Sequence, residues 1–527
     1  MRITSNMIMN NTLSNLNSNR LNVNSLNSQM SSQKKISRPS EDPVIALRSL
    51  RLNSALNEIN QYYEKNIPDA QSWMDVTETA LTNMNKILTS VRAELVKGAN
   101  GDLTSDDRNT ILNSIVALQQ QMYAEGNSDY AGRTVFTGYR TNSQLTFMDN
   151  ENSTSYDIEQ RFDSTQISSA NYYSGSVDVP TSAAEIANTG NIGDVIKTSY
   201  DRLRMGYDDI SELNSFSYSY NGQTATFVQD ATNPNLYTAT DPSTGSAISM
   251  TVYENEDEWS AASADGSKSI GDNDMVFIKT TGDLIMGQGI ADIVKENDAS
   301  FAVSYNKTGF TKGELRPEYY YDCTDVTNAS NPLNYQKYTY DPGTDTYVEI
   351  YQDINYTIAP NQSMTVNIQA SDVFNMNIFQ DMQEMTDAVK AATAAQDKVD
   401  AIQKLIDDDS NSDQLDELNT WLAAAQKESD YAEDNLQTMF SNKIGDFDAY
   451  MADVNLSITE LGTRGDRLSM TETRMSNQQL NVEELKSKNE DRDISEIVIE
   501  YTAAYNAYEA ALQAAAKIEK QSLLNYI

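Results

Sequence analysis

Glycine and proline are missing from both ends of this chain and crowded into its centre. Residues 1–38 and 466–527 contain neither, whereas residues 141–375 hold 14 of the 22 glycines and 7 of the 10 prolines. A segment without breakers can run as unbroken helix, and one full of them turns often. The 527 residues therefore read as helix, turn-rich centre, helix, with enough chain for several domains.

Charge follows the same division. Residues 1–140 carry a net charge of +1, residues 441–527 a net −6, and residues 141–440 a net −34 of the total −39. Nucleic acid is excluded as a partner by a surplus of that size. The ends can pack closely, while the middle reads as a solvated exterior.

The first segment places Met9, Leu13, Leu16, Val23 and Met30 near the spacing of a helical seam. Nine of its first 27 residues are Asn, a poor helix former, so this helix is expected to be marginal until its seam is covered. Pro39 and Pro43 then break the chain, with Ser40 or Asp42 as the next N-cap and Pro43 in the first turn. A second helix carries Ile45, Leu52, Leu56, Ile59 and Tyr63, and Pro68 is expected to interrupt it. A third runs from Trp73 to Leu95, and a fourth over about residues 105–125. G-R-T-V-F-T-G-Y-R at 132–140 signals a hairpin.

Residues 141–375 alternate in short Tyr-, Thr- and Val-rich runs between N-G, D-P and P-G turns, a β pattern. Short helices are expected near 191–197 and over Leu284–Val294. Helix returns at about residue 376. Phe447, Val454, Leu461, Leu468, Met475 and Val482 recur at every seventh position, a core row of a bundle helix or coiled coil. The last stretch has two adjacent apolar rows. One is Ile494, Val498, Tyr501, Tyr505, Tyr508, Leu512 and Ala515; the other is Ile497, Tyr501, Ala504, Tyr508, Ala511, Ala515 and Ile518. Leu523, Leu524, Tyr526 and Ile527 extend the apolar character to the last residue. Two rows make a face too wide for one partner helix.

No catalytic, cofactor-binding or metal site is expected. The chain has no His, which removes imidazole bases and ligands, and Cys323 is its only cysteine. Asp322 and Asp325 beside it should raise the thiol pKa rather than activate it. M-G-Q-G-I-A-D at 286–292 lacks the third glycine of a dinucleotide loop. The acidic runs at 254–258 and 271–274 lack the glycine and glutamate of a calcium loop. No apolar run is long enough to span a membrane, and no secretory leader is evident.

M-R-I-T at the start, Q-K-K-I-S-R-P-S-E-D-P at 33–43 and the run from Val76 to Gly101 resemble the N-terminal signature of the flagellin-like axial proteins of bacterial flagella. G-R-T-V-F-T-G-Y, A-P-N-Q-S-M-T-V-N-I-Q-A-S-D-V-F at 359–374, and the ending from D-R-D-I-S-E-I to S-L-L-N-Y-I are similar to the junction members of that family. The resemblance implies an α+β fold: a discontinuous long-helix bundle formed by both chain ends, with a β-rich inserted domain. The segments expected are an assembly helix at 1–40, bundle at 41–140, outer β domain at 141–375, bundle at 376–490 and a second assembly helix at 491–527. The family often has Gly where this chain has Gln33, so that turn is expected to be continuous helix here. The region around 400–430, with Trp421, should lengthen the helical domain.

By the same resemblance the protein would be extracellular, exported without a cleaved signal by the flagellar type III apparatus. It would form a junction layer between hook-associated protein 1 and flagellin. Its partners would be copies of itself, those two proteins and an export chaperone, with neither nucleic acid nor membrane. Met9, Leu13, Leu16, Val23, Ile494, Val498, Tyr501, Tyr505, Tyr508, Leu512, Ile518, Leu523, Leu524, Tyr526 and Ile527 would be the intersubunit contacts, free and mobile until assembly folds them. A flagellin filament subunit is the alternative within the family; a helical adhesin, or a glycosidase within 141–375, are alternatives outside it.

Overall fold

The computed structural model describes residues 5–101, 103–174, 177–192, 195–220, 223–241, 245–263, 268–297, 299–343 and 346–520. Seven long helices lie among them: α1 (Ser5–Ser32), α2 (Pro43–Asn60), α3 (Ile67–Gly98), α4 (Ser105–Gly126), α5 (Met376–Ile406), α6 (Leu415–Glu490) and α7 (Ile494–Lys520). All strands fall between α4 and α5, so the breaker-rich centre is the β-rich part. The chain forms two compact units. One holds residues through Gln71, Asn355–Thr365 and the chain from Arg464 on; the other holds Ser72–Ile354 and Val366–Thr463.

In the first unit α1 packs along α7. Asp42 is the cap of α2, its carboxylate accepting from the Val44 and Ile45 amides, with Pro43 in the first turn. Pro68 does not interrupt. Residues Gln61–Asn66 form a π-helical turn, in which the Ile67 amide donates to the Tyr62 carbonyl five residues back. Widening the helix just before Pro68 relaxes the ring's clash with the preceding turn and carries the helix on into α3. The end of α6 lies on α2, where Asn489 donates to the Ile45 carbonyl at 3.1 Å and Gln479 to Asn60 at 3.0 Å. The hairpin Asn355–Ala359/Gln362–Thr365 sits beside the π turn, where Asn66 donates to the Thr357 carbonyl at 2.7 Å.

The expectation of continuous helix at Gln33 is overturned. Helix α1 ends at Ser32, and Gln33 takes a left-handed φ of 55°. The reason is the pairing that follows: Lys34 and Asp491 form an isolated antiparallel bridge, which needs the chain to leave the helix there.

In the second unit α3 and α6 run antiparallel. Arg92 pairs with Asp448 at 2.6 Å and Asn85 with Asn455 at 2.7 Å, one heptad apart in opposite directions. Phe447, Val454 and Leu461 are fully buried, as are Ala80, Met84, Leu88, Val91 and Leu95 on α3. The row repeating every seventh residue is therefore an internal seam as far as Met475, while Val482 at its end is only half-buried. Gly98 makes room for the Phe440 ring, because a Cβ there would stand 1.8 Å from it. Residues 400–430 form the α5–α6 hairpin, where Trp421 packs with Val177, Val399 and Ile402 and donates to the Ile186 carbonyl.

The strands used below are β1 (Asp129–Tyr130), β2 (Arg133–Thr134), β3 (Glu151–Phe162), β4 (Ile196–Arg204), β5 (Glu212–Tyr220), β6 (Asp283–Met286) and β7 (Ser300–Phe310). A six-stranded sheet is centred on β3, β7 and β5, and a seven-stranded sheet contains β4 beside β6. The hairpin expected at 132–140 begins earlier, as β1 and β2 around Ala131 and Gly132, both with positive φ. Two expected helices shift. Leu284 lies in β6 and the helix is Gln288–Asn297, while residues 189–191 make only a 3-10 turn before β4.

An ion network roots the seven-stranded sheet on the helices. Arg202 on β4 pairs with Asp283 on β6 at 2.9 Å and with Glu384 on α5; Arg204 reaches Glu384 at 2.6 Å and Asp381 at 3.1 Å. Lys443 and Tyr450 on α6 reach Asp381, each at 2.8 Å. Burial works to raise the Glu384 pKa, but Arg202, Arg204 and Lys443 outweigh it and hold it at about 2. Glu314 and Glu318 go the other way, raised chiefly by burial.

These shifts set a pH profile. Glu384, depressed, contributes stability that is present above its unfolded pKa near 4.5 and lost as pH falls toward 2. Glu314 and Glu318, raised, cost stability as pH rises through their folded values. The melting temperature should therefore peak at mildly acidic pH. Glu384→Gln, which leaves the buried Arg202 and the half-buried Arg204 each short of a partner, should cost about 3 kcal/mol at neutral pH and flatten the acid limb. Melts of both proteins from pH 2.5 to 8 check this. At Gln33, replacement by Gly should raise stability by about 1 kcal/mol, by removing the left-handed strain of a side chain; chemical denaturation measures it.

Candidate assembly surface

The apolar positions singled out near the two ends meet on one pair of helices. Helix α1 buries Leu26 and half-buries Leu16, Val23 and Met30, and α7 buries Ile497 completely. Tyr501, Ala504, Tyr508, Ala511 and Ala515 are half-buried beside it. Of the two rows on α7, the one starting at Ile497 is thus the less exposed. Its alanines let the α1 backbone come near.

The other row stays open. Ile494, Val498, Tyr505 and Leu512 are each 42–50 % exposed, and Ile499, outside both rows, is 70 % exposed. Tyr505 stacks on Tyr501 at 6.0 Å, holding the two rings as one aromatic step. On α1, Met9, Leu13 and Leu21 are exposed. Ile518 lies in α7 with its side chain outside the described residues, and Leu523, Leu524, Tyr526 and Ile527 also lie outside them.

One expectation is corrected here. The seams of α1 and α7 are not left bare for other copies alone, because each helix supplies part of the other's cover. Asn is a poor helix former, and packing is what makes a helix of weak propensity persist.

At the base of the pair both links are pinned together. The Lys35 amide donates to the Glu490 carbonyl at 2.7 Å and the Arg492 amide to the Gln33 carbonyl at 3.0 Å. Lys34 pairs with Asp491 and, at 3.3 Å, with Glu490. The hydrogen bond to Lys34 lowers the Asp491 pKa and its counterpart raises that of Lys34. Arg492 donates to Gln29 at 2.6 Å and pairs with Glu500 on α7. None of these latch residues is apolar or periodic, so a search for seams passes over them. The signal in sequence was K-K-I-S-R-P facing D-R-D at the two ends of the breaker-free segments.

Among the described residues no group of three His, Cys, Asp or Glu side chains could hold a metal, and no helix is long and apolar enough to cross a membrane. Cys323 is buried and its thiol pKa is raised, first by burial and next by the Glu318 carboxylate. The neighbouring Asp322 and Asp325 carboxylates push it the same way, more weakly, as expected.

Residues 3–141 match the family model of the bacterial flagellin N-terminal helical region, and residues 444–527 that of the C-terminal helical region. The chain is 28 % identical over 142 residues to flagellar hook-associated protein 3 of Salmonella typhimurium, covering 27 % of this chain and 44 % of that protein. To the protein of the same name from Escherichia coli it is 30 % identical over 114 residues, covering 21 % and 36 %. The matched stretch thus spans less than half the length of either relative. Two solved structures are also similar: the flagellar junction protein FlgL of Legionella pneumophila and a putative flagellar hook-associated protein of Vibrio parahaemolyticus. The first has 13 % identity and a TM-score of 0.28, covering 84 % of this chain and 100 % of that one. The second has 12 % identity and a TM-score of 0.35, covering 86 % and 100 %.

The covered and open rows predict opposite outcomes for the isolated protein. Ile497→Ala should destabilise the first unit by about 2–5 kcal/mol, the cost of emptying a buried aliphatic site. Leu512→Ala should change stability by less than about 0.5 kcal/mol. Hydrogen exchange of α1 and α7 amides in the two variants reads the difference directly.

Proposed function

From a chain whose two ends are flagellin-type helical regions, we infer that it is a structural component of the bacterial flagellum, of the junction type that links hook-associated protein 1 to the flagellin filament. The observation that carries the reading is the open row Ile494, Val498, Tyr505 and Leu512 running beside a covered one. An apolar strip of that length on a chain of net charge −39 marks a contact surface. Flat, periodic and helical, it fits the helices of neighbouring copies.

Assembly would proceed without chemistry. The terminal helices are marginal alone, and neighbouring subunits complete their cover, so folding and incorporation are coupled. Leu523, Leu524, Tyr526 and Ile527 would add further apolar surface at the same seam. At roughly 1.5–3 kcal/mol for each aliphatic side chain fully buried, a handful of such contacts per subunit suffices to hold a layer. Other copies, hook-associated protein 1, flagellin and an export chaperone are the partners in this reading. The protein would be extracellular, exported without cleavage, and the acidic β-rich part would face outward and be dispensable for incorporation.

The test uses a strain lacking the protein and complemented with variants. Without it, electron microscopy should show hooks with no filament and flagellin shed into the medium. Tyr505→Ser combined with Leu512→Ser should be exported and melt like the wild type, yet fail to restore filaments. Restoration of full-length filaments by that double variant would remove the open row from assembly. A deletion strain that retains flagellin at the hook would overturn the junction role.

A further inference from the structure

One lysine of the β-rich part has no place in the assembly account. Lys307 on β7 is 2 % exposed, among the most completely buried side chains of the molecule. Its ammonium donates to the Asp208 carbonyl at 2.7 Å and to Asp208 Oδ1 at 3.3 Å, and lies 3.4 Å from Glu314 Oε1. The rings of Tyr207 and Phe310 stand 5.9 and 5.5 Å away. Glu314 is held by the Thr311 amide, and its pKa is raised by burial. Asp208 and Glu314 line a cavity of about 1460 Å³ within the same unit.

We propose that this cluster is a self-modification site, at which Lys307 Nζ condenses with the Asp208 side-chain carboxyl to an amide, with Glu314 carrying the proton. The ammonium gives up one proton through Glu314, and the freed lone pair attacks Asp208 Cγ. A C–N bond forms, one C–O bond breaks, and the oxygen leaves as water with two protons that were the lysine's. Ammonium and carboxylate become amide and water, so nothing is oxidised or reduced and no co-reactant is required.

The arrangement favours this step in three ways. The ammonium donates to both the main-chain carbonyl and Oδ1 of Asp208, which keeps the two reacting groups side by side and supplies the effective concentration that free amines lack in water. Burial beside the Tyr207 and Phe310 rings keeps water from competing for the amine's lone pair. Glu314, with its pKa raised, is suited to receive and return a proton. Asp208 is the acyl partner rather than Glu314 because its side chain is 47 % exposed, so the expelled water leaves into the cavity, while Glu314 is tied to Thr311.

The bond would close a loop from Asp208 to Lys307, a chain-entropy constraint like that of a long disulfide. With a single cysteine, the chain cannot form any intrachain disulfide. A bond that forms only after folding is also compatible with passage of the chain through an export channel in unfolded form.

Intact-mass measurement of the full-length protein, followed by proteolysis and sequencing of branched peptides, tests the proposal. Expected are a mass one water below the sequence mass and a branched peptide joining Lys307 to Asp208. Asp208→Ala and Lys307→Arg should return the full mass and lower the melting temperature. Glu314→Gln should fold, as checked by circular dichroism, and stay at full mass or cross-link many-fold more slowly. A wild-type protein at full mass means a buried ion pair only and overturns the proposal. So does a one-water deficit that persists in Lys307→Arg, which would mark a cyclised aspartate elsewhere. A branch to Glu314 would overturn the assignment of roles, and unchanged cross-linking in Glu314→Gln would remove the relay.

Discussion

The antiparallel seam of α6 is the interaction on which the helical framework depends. Within the second unit its row Phe447, Val454 and Leu461 is buried at every seventh residue, and α3 answers with the buried Ala80, Met84, Leu88, Val91 and Leu95. That spacing is the condition for two helices to stay in contact over many turns. Because the two strands of the seam come from opposite ends of the sequence, neither end can complete a core before the whole chain is present. An inserted β-rich part costs such a framework little, since the loop-closure penalty grows only slowly with length.

The terminal pair obeys the same physics with less to spend. Helix α1 is nearly uncharged and rich in Asn, so its contribution is shape more than burial. What fixes its direction is polar: the bridge at Lys34 and Asp491, the ion pairs around it and the left-handed Gln33. These groups are substantially exposed, so each is individually weak. A helix pair anchored by weak polar contacts, with one apolar row covered and one open, can exchange solvent for neighbours at small cost. It also explains why a surface of large aliphatic and aromatic groups is tolerated: half of it is already in use.

Much of this was readable in the residues, for identifiable reasons. The Asp42 cap, the Pro43 first turn and the heptad row are local or periodic signals, and each stands as the sequence implied. Pro68 and Gln33 misled because both are local rules overridden by context, one by a π turn and one by a bridge to a residue more than 450 positions away. In the centre, β content was evident but pairing was not. Strand β3 lies between partners that follow it by more than 130 residues, Phe162 facing Phe301 and Ile158 facing Cys323. No alternation pattern carries that information, because alternation specifies a face and not a neighbour. The two rows on α7 were visible too, but which one α1 would cover depended on the direction of the pairing.

The polar interior of the β-rich part was the least visible, and its logic is electrostatic. A region carrying most of the net −39 repels itself, so its basic residues are worth most where several carboxylates converge. Arg202, Arg204 and Lys443 gather three acids at the root of the seven-stranded sheet, and Lys307 gathers two beneath β7. Arg202 and Lys307 are buried, Arg204 and Lys443 are half-buried, and each is matched by acids from a separate stretch of chain. Such clusters are costly when one member is lost and specific when all are present. A surplus of surface acid thus leaves the scarce cations to act as interior rivets, and it is at one of these that covalent chemistry comes within reach.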